Sequence, residues 1–453
     1  MHAECQPLIG GGKVVLRETK RAVTPFGGLV VLVQLMKRLR VMDWVREQLP
    51  FAYRSPNRID PAETLLAFWL AVAAGARRFA HVQGLRCDEA LRRLCGISRM
   101  PGDDTVRNFF RRFKAGELER FFPPLWRKLF AELPAQSCTL DLDSTVFQRF
   151  GEQEGAARGY NPGRHGGATH HPLFALLAEP VLVLHTWLRC GNAAPNRGAV
   201  AFLEEALAVL PADWSITGVR ADGGFFDQKL LTFLEARQLA YVVAVRMHSN
   251  LQFAVHGVRQ WRQVGSRHWV GEFELKMLKW RRARRFVVVK EQLPSGKPRR
   301  ALQLLDVPGV SFRVFVTNRT EEPEWVWRHY DKRAGIEPRF SEIKQDLAAD
   351  DFCLRSFFAT EAALRAIVFL FNLLSILQTA QPANSTTQRP ATLRSTLFTC
   401  GAIAGRAGRT TVMYFAESWG GLKHRIPLLI NIAQGDFLTS PKLPFPTADP
   451  VPS

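Results

Sequence analysis

Three carboxylates far apart in the chain, Asp143, Asp222 and Glu337, are the groups whose types and settings point most directly to chemistry. Asp141 and Asp143 stand two apart in a short alternating segment, so in a strand both side chains leave by one face. Two charges on one strand face call for a cationic partner, because an isolated buried carboxylate is costly to desolvate. One of the pair can bind a metal while the other lies at its rim or supports it. Asp222 ends an apolar run and precedes Gly223-Gly224, which lets the backbone turn sharply and present the carboxylate at a sheet edge. Tyr330, Arg333, Glu337 and Lys344 are spaced three, four and seven, which on an ideal helix confines them to an arc of about 60°. A basic pair around a carboxylate holds it ionised and can contact phosphate. Pro338 lacks the N–H that would bond to Ala334, so the helix is expected to kink or restart just beyond Glu337. Hard oxygen ligands of this kind suit Mg²⁺ or Mn²⁺.

The chain that must position these groups has 453 residues, enough for two to four structural units. Its 47% hydrophobic and 23% charged composition is that of a folded protein, neither disordered nor fibrous. With 61 Lys and Arg against 41 Asp and Glu, the net charge of +20 favours a polyanionic partner over a small neutral ligand. Seven scattered cysteines without a Cys-x-x-Cys pair indicate neither a zinc framework nor a disulfide scaffold. The apolar stretches Gly28 to Leu35 and Ala363 to Leu374 fall short of the roughly 20 residues that cross a bilayer. They are expected in the core, with no membrane partner.

From Val41 to Leu133 the sequence predicts helices, notably over Ala62 to Ala74 and over Thr105 to Phe122, with Asp103 or Asp104 as a cap. There Phe109, Phe110 and Phe113 pack inward, while Arg107, Arg111, Arg112 and Lys114 can meet backbone phosphates, and a solvated basic helix face accounts for any one of them about as well. Near Cys138 the character changes. Strands are predicted over Cys138 to Phe147, Leu173 to Leu177 and Val181 to Leu188, a helix over Ala199 to Leu210, and a strand over Trp214 to Val219. A helix over Asp227 to Arg237 and a strand over Leu239 to Val245 follow. Three strands, helix, strand, helix, strand is the opening order of a ribonuclease-H-like fold, whose mixed sheet carries acidic residues at strand ends.

Met247 to Asn318 reads as a mostly β, basic insertion, broken at Leu293-Pro-Ser-Gly-Lys-Pro. Trp261, Trp269 and Trp280 are interleaved there with Lys279, Arg281, Arg282, Arg284 and Arg285, a pattern that can neutralise phosphates and stack on an unpaired base. A hairpin with a solvated basic face accounts for these charges nearly as well. Glu324 to Gln345 is predicted helical apart from Gly335 and Pro338, Ala359 to Leu377 forms a long apolar helix, Leu393 to Phe415 is ambiguous, and the end beyond Gln434 is Pro-rich and frays. The whole is an α+β multidomain chain. A helical DNA-binding region spans 1–133, and 134–246 and 319–378 are two parts of a sheet domain. The insertion 247–318 lies between them, and 379–453 is a C-terminal region for DNA contact or dimerisation.

On these residues the sequence resembles bacterial insertion-sequence transposases of the DDE type, in the group with a Tyr-(2)-Arg-(3)-Glu-(6)-Lys signature. Tyr330, Arg333, Glu337 and Lys344 match it without a change of spacing. Also similar are Asp141-Leu-Asp143-Ser-Thr-Val, Gly159-Tyr-Asn-Pro, His171-Pro-Leu, Arg189-Cys-Gly-Asn192, Arg220-Ala-Asp222-Gly-Gly-Phe and Phe315-Val-Thr-Asn318, over roughly residues 20–375. The resemblance implies that the first catalytic Asp stands before a hydroxyl pair, which selects Asp143 over Asp141. It implies a ribonuclease-H-like catalytic domain with two Mg²⁺ ions, Mn²⁺ being an alternative. Asp143 would be shared between the ions, and Asp222 and Glu337 would complete one each. Arg333 and Lys344 would hold phosphate or order the carboxylate, and Tyr330 would position the strand end. The implied reaction is cut-and-paste movement of the protein's own element: metal-dependent cleavage at terminal inverted repeats and joining to target DNA. A homodimer would form the synaptic complex, acting at the nucleoid of a bacterial cytoplasm. If a hairpinned DNA end forms, one of the three insertion tryptophans would stack on a flipped base. A nuclease of the same fold and a non-catalytic DNA-binding protein descended from a transposase are the competing readings.

Overall fold

A computed structural model describes residues 3–435 and Leu438, except 6, 8, 10, 11, 160, 162, 294–308 and 382–384. The turn after Leu293, Tyr160 and Pro162 of the Gly159 segment, and the Pro-rich end lie outside the described residues.

Nine strands make one mixed sheet: β1 (Ser137–Ser144), β2 (Leu173–Leu177), β3 (Leu182–Trp187), β4 (Ser215–Ala221), β5 (Tyr241–Val245), β6 (Arg262–Gln263), β7 (His268–Leu275), β8 (Arg284–Gln292) and β9 (Val310–Thr317). Their spatial order is β6-β7-β8-β9-β5-β4-β1-β2-β3. Strand β1, third from the β3 edge, is parallel to β4 and antiparallel to β2, and β4 is parallel to β5. All five residues of β2 are buried, as suits a strand covered on both faces. The segment 247–318 is β-rich, as its sequence suggests, but β6 to β9 are no separate sheet. They extend the central one through β9, which pairs antiparallel with β5. Asn318 locks that junction, its side chain accepting from the Tyr241 N–H and donating to the Leu239 carbonyl. Pairing β9 to β5 buries Val242 and Val316, groups that an isolated hairpin would leave wet.

Helices flank the sheet. Asp60 caps the Pro61–Ala74 helix by accepting the Ala62 N–H at 2.6 Å, Pro61 occupies its first position, and Gly75 ends it at φ +108°. The single helix expected over Thr105 to Phe122 is two, Asp103–Phe110 and Ala115–Ala131, and Gly102 holds the cap position expected for Asp103 or Asp104. Both acids lie in the first turn instead and pair with Arg107, so they serve the helix dipole rather than the cap.

The apolar helix Phe357–Thr379 is long enough to cross a membrane by length and composition, yet 94% of its most apolar window is buried inside the protein. Asn372 fixes it to β3, accepting the Val183 N–H and donating to the Val183 carbonyl, both at 2.8 Å. The ambiguous stretch after Leu393 contains a hairpin, Ala402–Ala407 with Thr410–Phe415, whose first strand pairs with Ala22–Thr24 and so ties the start of the chain to its end.

Candidate active site

The parallel register of β1 and β4 creates the site. Arg220 stands opposite Asp141, so continuing the ladder by two residues sets Asp222 beside Asp143. The inner pair is a closed ion pair: Arg220 grips Asp141 through two bonds of 2.6 and 2.7 Å, with both side chains 3% exposed. The third edge of Arg220 donates to the His329 carbonyl at 2.7 Å, which anchors the helical segment below to the sheet. Asp141 therefore has its cation already.

The outer pair is different. Burial pushes the Asp143 carboxyl up to about 6, Arg333 pulls it the other way, and Asp222 adds to the rise. One nitrogen of Arg333 reaches Asp143 at 2.8 Å and the Leu142 carbonyl at 3.1 Å, while its Nε has no partner among the described residues. Asp222 accepts the Gly224 N–H at 2.9 Å, closing the turn. A side chain at Gly224 would collide with Pro195, so the glycine permits a close approach. Pro195 is held from behind by Arg189, buried and bonded to the carbonyls of His171, Ala194, Pro195 and Arg197. The Arg189-Cys-Gly-Asn192 segment thus supports the loop against which the second Asp turns.

The signature Tyr-Arg-Glu-Lys residues ride on a helical run that changes pitch repeatedly: α over Pro323–Asp331, 3₁₀ over Lys332–Gly335, α over Ile336–Ser341, π over Glu342–Asp346. Pro338 falls in the first turn of the restarted helix, where its missing N–H costs no intrahelical bond. Tyr330 packs on Phe315 with ring centroids 4.6 Å apart. Burial raises its phenol to about 12, against the pull of Arg333, and Asp222 and Asp143 add to the rise. Lys344 donates to the Val146 carbonyl at 2.8 Å, just past the end of β1. The structure brings Asp143, Asp222, Tyr330 and Arg333 together. Glu337 lies between Arg333 and Lys344 along the run but is exposed, and among the described residues no three acidic, His or Cys groups stand close enough to hold a metal.

Asp143 and Asp222 by themselves fit a divalent ion. They are hard oxygen donors close enough for the charge of Asp222 to act on Asp143, which also pairs with Arg333 at 2.8 Å. Two residues to which sequence reasoning gave no role complete the surroundings: Arg220, quoted only within a matching segment, as the partner of Asp141, and Arg149, buried beyond β1 and bonded to His170. The matching spacing of Arg220 and Asp222 to Asp141 and Asp143 was a readable signal for the first. Arg149 had none.

The basic and aromatic candidates divide. Trp280 is buried, with Arg284 over its ring at 4.3 Å and Phe286 stacked on it at 6.1 Å, leaving no open face for a base. Arg284 is buried in a bidentate pair with Glu235, and Arg285 is held by Glu272 and two carbonyls. Arg107 is engaged by Asp103 and Asp104, and Arg112 lies over the Tyr53 ring at 4.4 Å. Lys279, Arg281, Arg111 and Lys114 are exposed, as is Arg282 despite its contact with Glu235 at 2.8 Å. Trp261 and Trp269 share Lys290 over their rings, at 5.7 and 5.4 Å. Trp325, which the sequence reading did not single out, is 40% exposed and stacks on His329 at 4.5 Å.

The sequence pattern of the family described as transposase DDE domain group 1 matches residues 6–432. Seven chains of solved structures match, among them one from a cryo-EM structure of the piggyBac transposase synaptic complex with hairpin DNA. That chain is 11% identical, with a TM-score of 0.44, over 84% of this chain and 83% of its own. No curated protein matches.

Proposed function

The chain belongs to the family of transposases with a DDE domain, and from that membership we propose that it cleaves DNA at the ends of its own element and joins them to a target. The observation that carries the reading is that Asp222, just past the end of β4, lies close enough to Asp143 for its charge to act on it, while Asp143 meets Arg333 through one nitrogen where Asp141 is gripped by two bonds from Arg220. The strand order and the acids at strand ends support a ribonuclease-H-like catalytic sheet.

In this reading Asp143 and Asp222 would hold divalent metal, Mg²⁺ or Mn²⁺, with Glu337, exposed on the helical run, as the third ligand. When bound, the metal supplies Lewis-acid activation of the attacking water or 3′-hydroxyl and stabilisation of the departing 3′-oxygen. The chain's own groups orient the strand: Arg333, with its unpartnered Nε, and Lys344 take phosphate oxygens, and Tyr330 seats the strand end. Duplex DNA flanking the site would run over the exposed Arg111, Lys114, Lys279, Arg281 and Arg282, with Trp261 and Trp269 available to stack. The partners are duplex DNA with terminal inverted repeats and target DNA, in a homodimeric synaptic complex at the nucleoid of a bacterial cytoplasm.

The test is cleavage and joining of DNA that carries the element's terminal inverted repeats, with and without Mg²⁺, for the parent and Asp143→Asn. Metal-dependent cutting and joined products are expected from the parent only. Equal rates for the two proteins would remove Asp143 from the centre, and cut ends without joined products would mean a nuclease. Binding without cutting in either metal would mean a DNA-binding protein that has lost catalysis.

A further inference from the structure

Just past Asp143, where β1 ends, lies a cavity of about 650 Å³ lined among others by Arg78, Val146, Arg149, Asn161, Gln153 and Lys344. Two of its donors are buried and unused. Arg149 is 4% exposed: its Nε donates to His170 at 2.9 Å, one terminal nitrogen donates to the Gln148 and Asp350 carbonyls, and Nη2 has no partner among the described residues. Asn161 is 5% exposed, and its Oδ1 accepts the N–H groups of Gly163 and Arg164, each at 3.1 Å, while its Nδ2 is likewise unpartnered. Buried donors are nearly always paired in folded proteins, so two orphans on one cavity point to an acceptor that enters it.

The lining charges agree. Arg149 cannot lose its proton to become neutral, and Lys344 and Arg78 add positive charge. Of the acids that also line the space, Asp351 is paired with Arg77 at 3.2 Å, and burial raises the Asp350 carboxyl while Lys344 and Arg149 oppose the rise. Arg107 is committed to Asp103 and Asp104. One acceptor, Gln153 Oε1, is also unpartnered and suits a base amino group or a water. His170 receives the Arg149 Nε–H on Nδ1 and so keeps the guanidinium turned.

We propose that this cavity is a phosphate subsite, in which Arg149, Asn161 and Lys344 hold one backbone phosphate of the DNA strand presented to Asp143 and Asp222. The assignment rests on the transposase reading and adds to it a fixed point for the strand beyond the reacting bond. Asn161→Asp isolates it, because the new carboxylate keeps the oxygen that closes the Gly163 turn while replacing the Nδ2 donor with a negative acceptor.

Binding of a labelled terminal-repeat duplex by the full chain is measured by fluorescence anisotropy in EDTA, across a salt series. Asn161→Asp is expected to bind about tenfold or more weakly than the parent, with a salt slope lower by about one and an unchanged thermal midpoint. A single methylphosphonate walked along the duplex should weaken the parent at one position where the variant is indifferent. Equal affinity and slope for both proteins, with no such position, overturns the subsite and leaves the transposase reading standing. Failure of the parent to bind the duplex sinks that reading instead. If Asn161→Asp lowers the midpoint, Arg78→Ala at the exposed mouth replaces it: loss of slope supports the subsite, and an unchanged slope counts against it.

Discussion

Two regions deliver the residues of the candidate site, and they do so in opposite ways. Asp143 and Asp222 come from neighbouring parallel strands within a nine-stranded sheet, in a register pinned by the buried Arg220–Asp141 pair. Glu337 comes from a run that passes through α, 3₁₀, α and π geometry within 24 residues and leaves its carboxylate in solvent. Changes of pitch such as π segments recur at functional sites, where they set side-chain direction at some cost to regularity. The sheet fixes two acids before anything binds; the helical run supplies the rest from an element that is less regular.

The largest expected effect breaks the site without touching either scaffold. If Asp143 holds metal as proposed, Asp143→Asn should lower cleavage about a thousandfold, several kcal/mol of transition-state stabilisation being lost. Glu337→Gln should approach that loss while shifting stability by less than about 0.5 kcal/mol, as its side chain is exposed. Rates near the parent's for Glu337→Gln would show that the helical run contributes phosphate contacts alone.

Next comes the scaffold on the sheet side. Arg220→Ala leaves the Asp141 carboxylate buried without a partner and frees the His329 carbonyl, so a loss of about 3–5 kcal/mol is expected by urea unfolding. A stable Arg220→Ala protein would mean that the register is held by the ladder alone. Asp141 and Asp143 share residue type, strand and face, and are told apart by what each meets.

That distinction also marks how far the sequence could be read. The strands β1, β2, β4 and β5 and the buried Phe357–Thr379 helix are visible in alternation and apolar runs, because these patterns are local. The choice of Asp143 over Asp141 rested on resemblance, because the partner that closes Asp141 lies 79 residues away. The merging of β6 to β9 into the central sheet depends on the pairing of Val245 with Val314, which no local pattern announces. Trp280 illustrates the same limit: an aromatic among arginines reads as a DNA platform until it is found buried, with Arg284 over its ring and Phe286 stacked beside it.

A smaller effect comes from pH. His170 and His185 on the sheet side and His329 on the helical side are each held near 4, all by burial first, with Arg149 opposing protonation of His170 and Arg220 that of His329. Their folded values lie below the unfolded 6.5, so the unfolded chain binds the extra protons and stability is lost as pH falls from about 6.5 toward 4. Each fully titrating histidine contributes a slope of at most about 1.4 kcal/mol per pH unit. The Asp143 carboxyl, held near 6, works the other way over the same window, because there the folded chain binds the extra proton. The test is therefore the difference between two curves: from pH 7 to 4 the thermal midpoint of His185→Gln should fall less than the parent's, and parallel curves would show that the His185 ring is not buried neutral.

The smallest effect tests the broken helix directly. In an unbroken helix from 323 to 346, Pro338 would sit in the interior, and Pro338→Ala would restore a backbone bond and stabilise the protein by about 3 kcal/mol. The observed restart at Ile336 puts the ring in a first turn, where no such bond is missing, so the change should be under about 0.5 kcal/mol. Unfolding of the single variant therefore measures the break itself. A gain near the larger figure would mean that the run is one helix in solution, with Glu337 held as rigidly as the two acids of the sheet.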